Sequence, residues 1–562
     1  MPAPRPALST FFRRVLTACL DRPRVSAVVL GALAACGFQP LQLWPLTLLA
    51  IALLIELIAR AERGRRAFLI GWLFGLGHFT LGNNWIATAF TYQAAMPTWL
   101  GGIAVFLLAL YLALFPAFAT LIAWAFLRVL SRRAAPLTPP RRALALTLAF
   151  AAAWIFTEWV RSWLFTGFPW NPLGVALLGP FSTPGLAILT RWVGTYGLSG
   201  VLVLLAGLPA LFMRLAAAHT GTARAARLAP PLIGLAALTA LMVLPAAWAP
   251  AAPGKVRYTL VQPDLRQEVL DDPQQFEASF VKLAKLTMPN GVNNSGVDSK
   301  RLVLWPESGV SDYLRDGYPP YFYVGFTYAD DPAVARWRIG RVIGPQSLLL
   351  TGAVDLVAKN DMPVAARNSV TALDGDGDIL AGYSKAHLVP YGEYLPMRSI
   401  LEPLGLSRLV EGDIDFLPGP GPRTFDFGDY GKAGIQICYE IVFSGHVVDP
   451  RDRPDYIFNP SNDGWFGYWG PPQHLAQARL RAIEEGLPVL RSTTTGISAV
   501  VDADGVVRNF APWRTAKRLD GFIPRAHAPT LFARFGNALP LALAAMLAIL
   551  AACVVAPRRR RA

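Results

Sequence analysis

Three residues in the C-terminal half of the chain have the chemistry needed for covalent catalysis: Cys438, Glu307 and Lys385. Cys438 ends the apolar run Ile435-Gln-Ile-Cys438 and precedes Tyr439-Glu440, so a turn there can expose the thiol as on a nucleophile elbow. Glu307 follows an apolar run in Trp305-Pro-Glu307, and Lys385 closes Tyr383-Ser-Lys385. Strand ends in an α/β sheet converge on one edge, where active sites commonly lie. Brought together there, the three groups can divide the work. Glu307 takes a proton, Cys438 attacks, and Lys385 stabilises the thiolate and the tetrahedral oxyanion. Singly, each residue type is more often a surface charge or a packed thiol. Cysteine usage alone leaves Cys438 either an inert buried thiol or a nucleophile, and its neighbours turn the reading to the nucleophile: Cys19, Cys36 and Cys553 lie in or beside apolar spans, which leaves Cys438 alone in its domain. A structural cysteine in an oxidising compartment normally has a partner.

The elements that must position these residues are short β-rich runs divided by turns and helices. Strands are expected at 256–262, 302–305, 347–353, 369–373, 379–384, 434–438, 456–459, 489–493 and 497–502. Helices are expected at 273–286, with Asp272 as N-cap and Pro273 at the first position, and at 472–486. This alternation indicates an α/β layered domain over residues 250–535. Asp374-Gly-Asp-Gly-Asp378 resembles a calcium loop, but its sixth position is Ile379 and its twelfth Lys385, so a hairpin turn is expected. His474 is read as structural. No ligand spacing suggests a metal and no Gly-rich loop follows a strand, so no cofactor is implied.

The rest of the chain is of a different kind. The 562 residues carry 16% charged residues and a net charge of +15, too few charges for an ordinary soluble protein. The charge is segregated: residues 1–249 and 536–562 hold 23 Lys/Arg against 4 Asp/Glu, whereas 250–535 hold 29 against 33. A nucleic-acid binder would place its basic residues on a soluble surface, so that class is excluded. Eight candidate membrane spans lie near 24–38, 42–59, 67–90, 99–127, 143–163, 190–213, 229–249 and 537–556. Arginines fall in alternate connections: Arg5, Arg13, Arg14, Arg22 and Arg24 before the first span, then Arg60 to Arg66, Arg128 to Arg142, Arg214 to Arg227, and Arg558 to Arg561. The positive-inside rule then puts both termini in the cytoplasm and residues 250–535 outside. Leu16-Thr-Ala-Cys19 and Arg13-Arg14 imitate export signals, but interruption of the apolar run by those arginines makes span anchoring the better reading. Glu158, Arg161 and Arg191 near the outer ends of spans either pair or snorkel, or else hold a lipid phosphate. Trp163, Trp170 and Trp192 are read as interfacial anchors.

Further segments carry a resemblance. Trp305-Pro-Glu307, Lys385-Ala-His-Leu-Val-Pro-Tyr-Gly-Glu393-Tyr-Leu-Pro396, Cys438-Tyr-Glu440 and Asn459-Pro-Ser-Asn-Asp-Gly-Trp-Phe466 resemble the carbon–nitrogen hydrolase (nitrilase) superfamily. Within it they resemble the membrane-bound branch, the apolipoprotein N-acyltransferases. Gly37-Phe-Gln-Pro40 to Leu43-Trp-Pro45 and Gly167-Phe-Pro-Trp-Asn-Pro172 extend the likeness into the membrane part. The resemblance implies an αββα sandwich with a Glu307-Lys385-Cys438 triad, and Glu393 orienting the lysine. It implies that Tyr439 and Glu440 are needed beside the nucleophile, though the sequence does not give their roles. The implied reaction moves a fatty acyl chain from a phospholipid to the α-amino group of the diacylglyceryl-modified N-terminal cysteine of an apolipoprotein. A Cys438 thioester would be the intermediate, in a monomer of the bacterial inner membrane with its catalytic domain in the periplasm.

Both substrates would arrive laterally from the outer leaflet, so the site should face the membrane. The insert between Glu307 and Ser347, with Tyr313, Tyr318, Tyr321, Phe322, Tyr323, Phe326, Tyr328 and Trp337, suits either a lid at the interface or ordinary packing. The family's aromatic-rich segment after the first domain strand is missing here: residues 262–276 offer only Phe276, and no binding role is assigned to them. Two alternatives stand beside this reading. One is a membrane-anchored amidase with water as acceptor. The other is a transporter with an external binding module, against which the spans show almost no charge and no obvious internal repeat.

Overall fold

Mainly apolar runs with small residues build the N-terminal part as helices: α1 Pro23–Ala35, α2 Trp44–Ala59, α3 Gly64–Gly82, α4 Leu100–Leu112, α5 Leu114–Ser131, α6 Pro139–Arg161, α7 Thr190–Ala216 and α8 Gly221–Val243. The structure is a computed structural model that describes residues 17, 19–92, 97–132, 136–216, 221–244, 253–270, 272–288, 300–404 and 415–556. Arg5, Arg13, Arg14, Arg133 and Arg558 to Arg561 lie outside those residues. Among the described residues, four stretches are long and apolar enough to cross a membrane: Leu100–Ser131, Pro139–Arg161, Leu186–Ala216 and Ala538–Val555. Pro23–Ala35, Trp44–Ala59 and Ala229–Val243 are apolar but shorter. Small residues bring helix backbones into contact: a Cβ on Gly31 of α1 would lie 1.9 Å from the Phe74 carbonyl of α3.

The second part is built on two six-stranded sheets. Its strands are β1 Pro253–Gln262, β2 Arg301–Leu304, β3 Ser347–Lys359, β4 Met362–Leu373, β5 Ile379–Ser384, β6 Thr424–Asp426, β7 Lys432–Ile435, β8 Tyr456–Ser461, β9 Val489–Thr493, β10 Ser498–Val501, β11 Val507–Ala511 and β12 Lys517–Pro524. The sheet orders are β12-β1-β2-β3-β4-β5 and β11-β10-β9-β8-β7-β6. In each, three central strands are parallel: β1, β2 and β3 in one, β7, β8 and β9 in the other. Side chains alternate across a strand. Leu302, Leu304, Leu348 and Leu350 thus face the second sheet's Ile435, Phe458 and Leu490. Val303, Trp305 and Leu349 point the other way, onto α9 (Phe276–Thr287) and α10 (Pro332–Ile343).

α11 (Gly470–Glu485) completes the fourth layer and is buried along nearly its whole length. Leu475, Ala478 and Ala482 join the core of the sandwich, whereas Ala476, Leu480 and Ile483 join the core of the membrane helices. Apolar on two faces, it glues the two parts together. Its charged residues complete the joint. Buried Arg479 donates to the carbonyls of Gly179 (2.8 Å), Pro180 (2.8 Å) and Thr183 (2.9 Å) on the membrane side and to Gly505 (2.8 Å) on the sandwich side. Glu484 accepts from the Thr195 amide at the start of α7 (2.7 Å) and from Ser444 (2.8 Å). After β12 the chain passes through α12 (Leu531–Phe535) into α13 (Ala538–Val555), which packs beside α6 and α7.

Strands form in every expected region, several of them longer, but the one expected at 434–438 ends at Ile435, leaving Cys438 in the turn beyond it, and 497–502 shortens to Ser498–Val501. Asp272 caps its helical turn by accepting from the Gln274 amide (3.0 Å). Strands β6, β11 and β12 and helix α10 are additions to the expectation. β11 and β12 carry Arg508, Asn509, Lys517, Arg518 and Asp520 and lie at or beside sheet edges, where one face stays wet. α10 begins with Asp331-Pro332, whose aspartate accepts from the Ala333 amide (2.7 Å), the same signature as Asp272-Pro273. Asp374 forms a turn, accepting from the amides of Asp376 (3.1 Å) and Asp378 (2.8 Å).

Candidate active site

The ends of β2, β5 and β7 bring Glu307, Lys385 and Cys438 to one buried locus. Lys385 is 1% exposed, Cys438 5% and Glu307 6%. Lys385 Nζ lies 2.9 Å from Glu393 Oε2, 3.0 Å from Glu393 Oε1 and 3.6 Å from Glu307 Oε1. Burial works to lower the lysine's pKa, but the Glu393 and Glu307 carboxylates outweigh it and hold the ammonium protonated well above its usual range. Asn368 on β4 donates to both glutamates, 2.7 Å to Glu307 and 2.8 Å to Glu393, and so fixes their separation. The Asn462 amide donates to the other oxygen of Glu307 (2.6 Å), and the Val389 amide to Glu393 (2.7 Å). A side chain at position 352 would collide with this arrangement: a Cβ on Gly352 of β3 would lie 2.6 Å from the Glu307 Cα.

Cys438 sits just beyond β7 with φ +51, a left-handed conformation rare for a residue with a side chain. Such a conformation costs about 1–3 kcal/mol and survives only where its surroundings over-determine it. Here the Cys438 carbonyl accepts from His474 Nε2 (3.0 Å) and from Asn459 Nδ2 (3.5 Å). His474 Nδ1 lies 2.9 Å from Asp463 Oδ1, and Arg491 donates to both Asp463 oxygens (2.7 Å each). The reading of His474 as structural stands, with a sharper meaning: it holds the backbone of the elbow. Burial, then the Glu307 carboxylate, push the Cys438 thiol well above its ordinary range, against a downward pull from Lys385. That direction favours the thiol over the thiolate at rest.

Glu440 and Tyr439 acquire roles the sequence left open. Glu440 is buried and accepts from the Tyr383 hydroxyl (2.8 Å) and the amides of Ala386 (2.7 Å), His387 (3.2 Å) and Ile437 (2.7 Å). It ties the strand end that carries Lys385 to the elbow that carries Cys438. Burial pushes its carboxyl up to about 7 against the pull of those donors. Replacing Glu440 with Ala strands two buried donors, the Tyr383 hydroxyl and the Ile437 amide, each worth about 1–3 kcal/mol, and frees the partly buried Ala386 and His387 amides. The expected result is a clearly lower melting temperature together with a fall in acyl transfer of about tenfold to a hundredfold. A thermal scan and an activity assay on the purified chain check both.

Tyr439 points the other way, into the membrane part. Its hydroxyl donates to the Gly167 carbonyl (3.3 Å), and its ring stacks on Trp170 with centroids 6.5 Å apart. Trp170 is not an interfacial anchor: it is fully buried, donates to Gln473 (2.9 Å) and packs on His474 (5.2 Å) and Trp85 (4.6 Å). Gln473 in turn donates to the Gln39 carbonyl (3.0 Å). Both membrane segments singled out in the sequence thus lean on the helix and loop beneath the nucleophile. Trp163 and Trp192 are 52% and 48% exposed. Arg161 is buried against Glu158 (3.9 Å) and donates to the Phe168 (2.8 Å) and Trp170 (2.9 Å) carbonyls. Arg191 pairs with Asp504. Neither arginine is left to hold a lipid phosphate, and pairing is the outcome.

The aromatic insert divides. Phe322 and Tyr323 are buried, while Tyr321, Phe326, Tyr328 and Trp337 stay 44–60% exposed. Sequence reasoning missed Asn368, Asn459, Asp463 and Arg491. Asn459 and Asp463 lie within Asn459-Pro-Ser-Asn-Asp-Gly-Trp-Phe466, a segment quoted above for its likeness alone, and Arg491 donates to both.

Two facing sheets with a buried Glu-Lys-Cys cluster at their strand ends, docked on apolar helices, define a membrane-associated carbon–nitrogen hydrolase fold. The carbon–nitrogen hydrolase family matches residues 301–526, and the apolipoprotein N-acyltransferase N-terminal domain matches residues 30–208. Whole-length relatives agree. An apolipoprotein N-acyltransferase of Rhodopseudomonas palustris is 33% identical over 565 residues, covering 97% of this chain and 98% of its own. Those of Bradyrhizobium diazoefficiens (34%, covering 95% and 94%) and Caulobacter vibrioides (33%, covering 95% and 96%) are similar to the same extent. The chain belongs to the apolipoprotein N-acyltransferase family.

Proposed function

We propose that this protein transfers a fatty acyl chain from a phospholipid to the α-amino group of a diacylglyceryl-modified N-terminal cysteine on apolipoproteins. The observation that carries the reading is Cys438 beside Glu307 and Lys385, on an elbow whose next residue, Tyr439, docks on the membrane part. In the first half-reaction Glu307 accepts the thiol proton and the Cys438 sulfur attacks the ester carbonyl of the phospholipid. Lys385 faces the negative charge that develops on sulfur and then on the carbonyl oxygen. Collapse breaks the ester C–O bond, and the departing lysophospholipid oxygen takes the proton from Glu307. In the second half the amine attacks the thioester, Glu307 accepts its proton, and the Cys438 thiolate leaves and recovers that proton. Glu393 and Asn368 hold Lys385 and Glu307 in register, and Glu440 holds the two strand ends together.

Water-insoluble donor and acceptor explain why such a sandwich sits on a bed of apolar helices, where a single span would anchor an amidase. The arginine distribution supports an inner-membrane orientation with both termini in the cytoplasm, residues 250–535 in the periplasm, and the 536–562 segment returning through the membrane. A monomer suffices, since every residue used belongs to one chain.

The acceptor decides the reading. Purified protein with phospholipid and a synthetic diacylglyceryl-cysteinyl peptide should yield an N-acylated peptide and one lysophospholipid per peptide, and acetylating the peptide amine beforehand should stop turnover. Release of free fatty acid at one rate whether or not the amine is present would make the protein a hydrolase instead.

A further inference from the structure

A second polar feature lies where the two parts meet, on the far side of Glu307 from Lys385. The segment after β1, for which the sequence assigned no role, places Arg266 and Glu268 on the rim of a small cleft. Trp513 and Arg514, between β11 and β12, form a second side, and Tyr92 of the membrane part a third. The Arg514 guanidinium lies 4.2 Å from the centre of the Trp513 ring, and Tyr92 meets Trp465 edge to face at 5.6 Å. Both arginines are exposed, and among the described residues neither forms an ion pair. The cleft thus holds two free guanidiniums against one carboxylate, with the charges of Glu268, Arg514 and Arg266 all acting on the Tyr92 hydroxyl.

The cleft connects to the site through two hydrogen bonds. Its floor includes buried Gln267, whose Oε1 accepts from Asn462 Nδ2 (2.8 Å), and the Asn462 amide donates to Glu307 (2.6 Å). Two arginines on separate loops suit a phosphodiester, since each guanidinium presents a planar fork of donors to phosphate oxygens. Tyr92 adds a hydroxyl at the membrane side.

We infer that Arg266 and Arg514 dock the phosphodiester of the donor lipid, so that its ester linkage falls at Cys438 while the acyl chains stay with the membrane helices. The assignment rests on the phospholipid donor proposed above. The acceptor carries a diacylglyceryl thioether without phosphate, so the cleft serves the first half-reaction. The segment that lacks the family's aromatic residues therefore offers a charged contact in their place.

The test measures Cys438 acylation by intact mass on the full chain in detergent micelles, with two donors. One is a phospholipid; the other is a nitrophenyl ester of the same fatty acid, which has no phosphate. Arg266→Gln and Arg514→Gln should each raise the phospholipid concentration for half-maximal acylation by about tenfold, the scale of one charge-assisted hydrogen bond. Acylation by the nitrophenyl ester should be unchanged in both, and Arg451→Gln, at a side chain 91% exposed elsewhere on the domain, should change neither donor. Equal loss with both donors would make the arginines structural and overturn the inference, as would an unchanged phospholipid curve. Inorganic phosphate at the same concentration should leave the wild-type curve in place; displacement by it would make the cleft a free-anion site. A wild-type chain acylated by the ester but by no phospholipid would refute the donor reading itself, and the inference with it.

Discussion

Cys438→Ala is expected to abolish acyl transfer while leaving a folded, membrane-inserted protein. The side chain is small and buried, and its loss removes neither the His474 nor the Asn459 hydrogen bond, since both go to the backbone carbonyl. Covalent catalysis has no substitute at this locus: the neighbouring side chains are a protonated lysine, two carboxylates and an amide, none of them placed as a nucleophile on a left-handed elbow. The readout is product formation on the diacylglyceryl peptide, followed to background, beside a melting curve that matches wild type. A transporter with an external binding module would keep its function in this variant.

Glu307→Gln is the second large effect, and it separates a base from a residue that merely tunes the thiol. Removing a positioned general base costs about 10²–10⁴ in rate, and transfer should fall within that range. The thiol should respond in the opposite sense. Glu307 is one of the groups that push Cys438 above its ordinary pKa of 9.0, so a neutral glutamine lowers that pKa and enlarges the thiolate fraction at a fixed pH. Alkylation of Cys438 by iodoacetamide at about pH 8 should then be as fast as in wild type or faster, because the thiolate is the reacting species. In the wild type the raised thiol gives an alkylation rate that keeps climbing as pH rises toward 9.0 and beyond, with no plateau below it. Unchanged transfer together with slower alkylation would remove Glu307 as the base.

The site was legible in sequence where one short segment carries both a strand and the group at its end. Glu307, Lys385 and Cys438 each follow an apolar run, and strand ends gather at one edge whatever the details of packing. Residues whose function depends on distant partners were not legible. Asn368 lies within a long strand, and nothing local says that it bridges Glu307 and Glu393. Asp463, His474 and Arg491 come from a loop, a helix and a strand, and only the folded sandwich makes them one support for the Cys438 carbonyl.

Burial was the commonest source of revision, because polar residue types imply solvent until a partner is known. Glu440 is placed beside the nucleophile by sequence, but its four donors are backbone and tyrosine groups that only the fold brings to it. Trp170 reads as an interfacial belt residue because it follows an apolar span, but the docked catalytic domain covers it. Arg479 and Arg481 lie on α11, which is enclosed on both sides, and they satisfy carbonyls across the joint. The arginines of the connecting loops differ in kind: the expectation they carry about orientation rests on position alone and involves no tertiary contact.

The central claim is a thioester on Cys438, and intact-mass measurement tests it most directly. Purified wild-type protein incubated with phospholipid, without acceptor, should gain the mass of one acyl chain. The adduct should map to the peptide that contains Cys438, disappear with hydroxylamine, and discharge on addition of the diacylglyceryl peptide. Absence of any adduct in the wild type, with undiminished turnover in Cys438→Ser, would contradict the account.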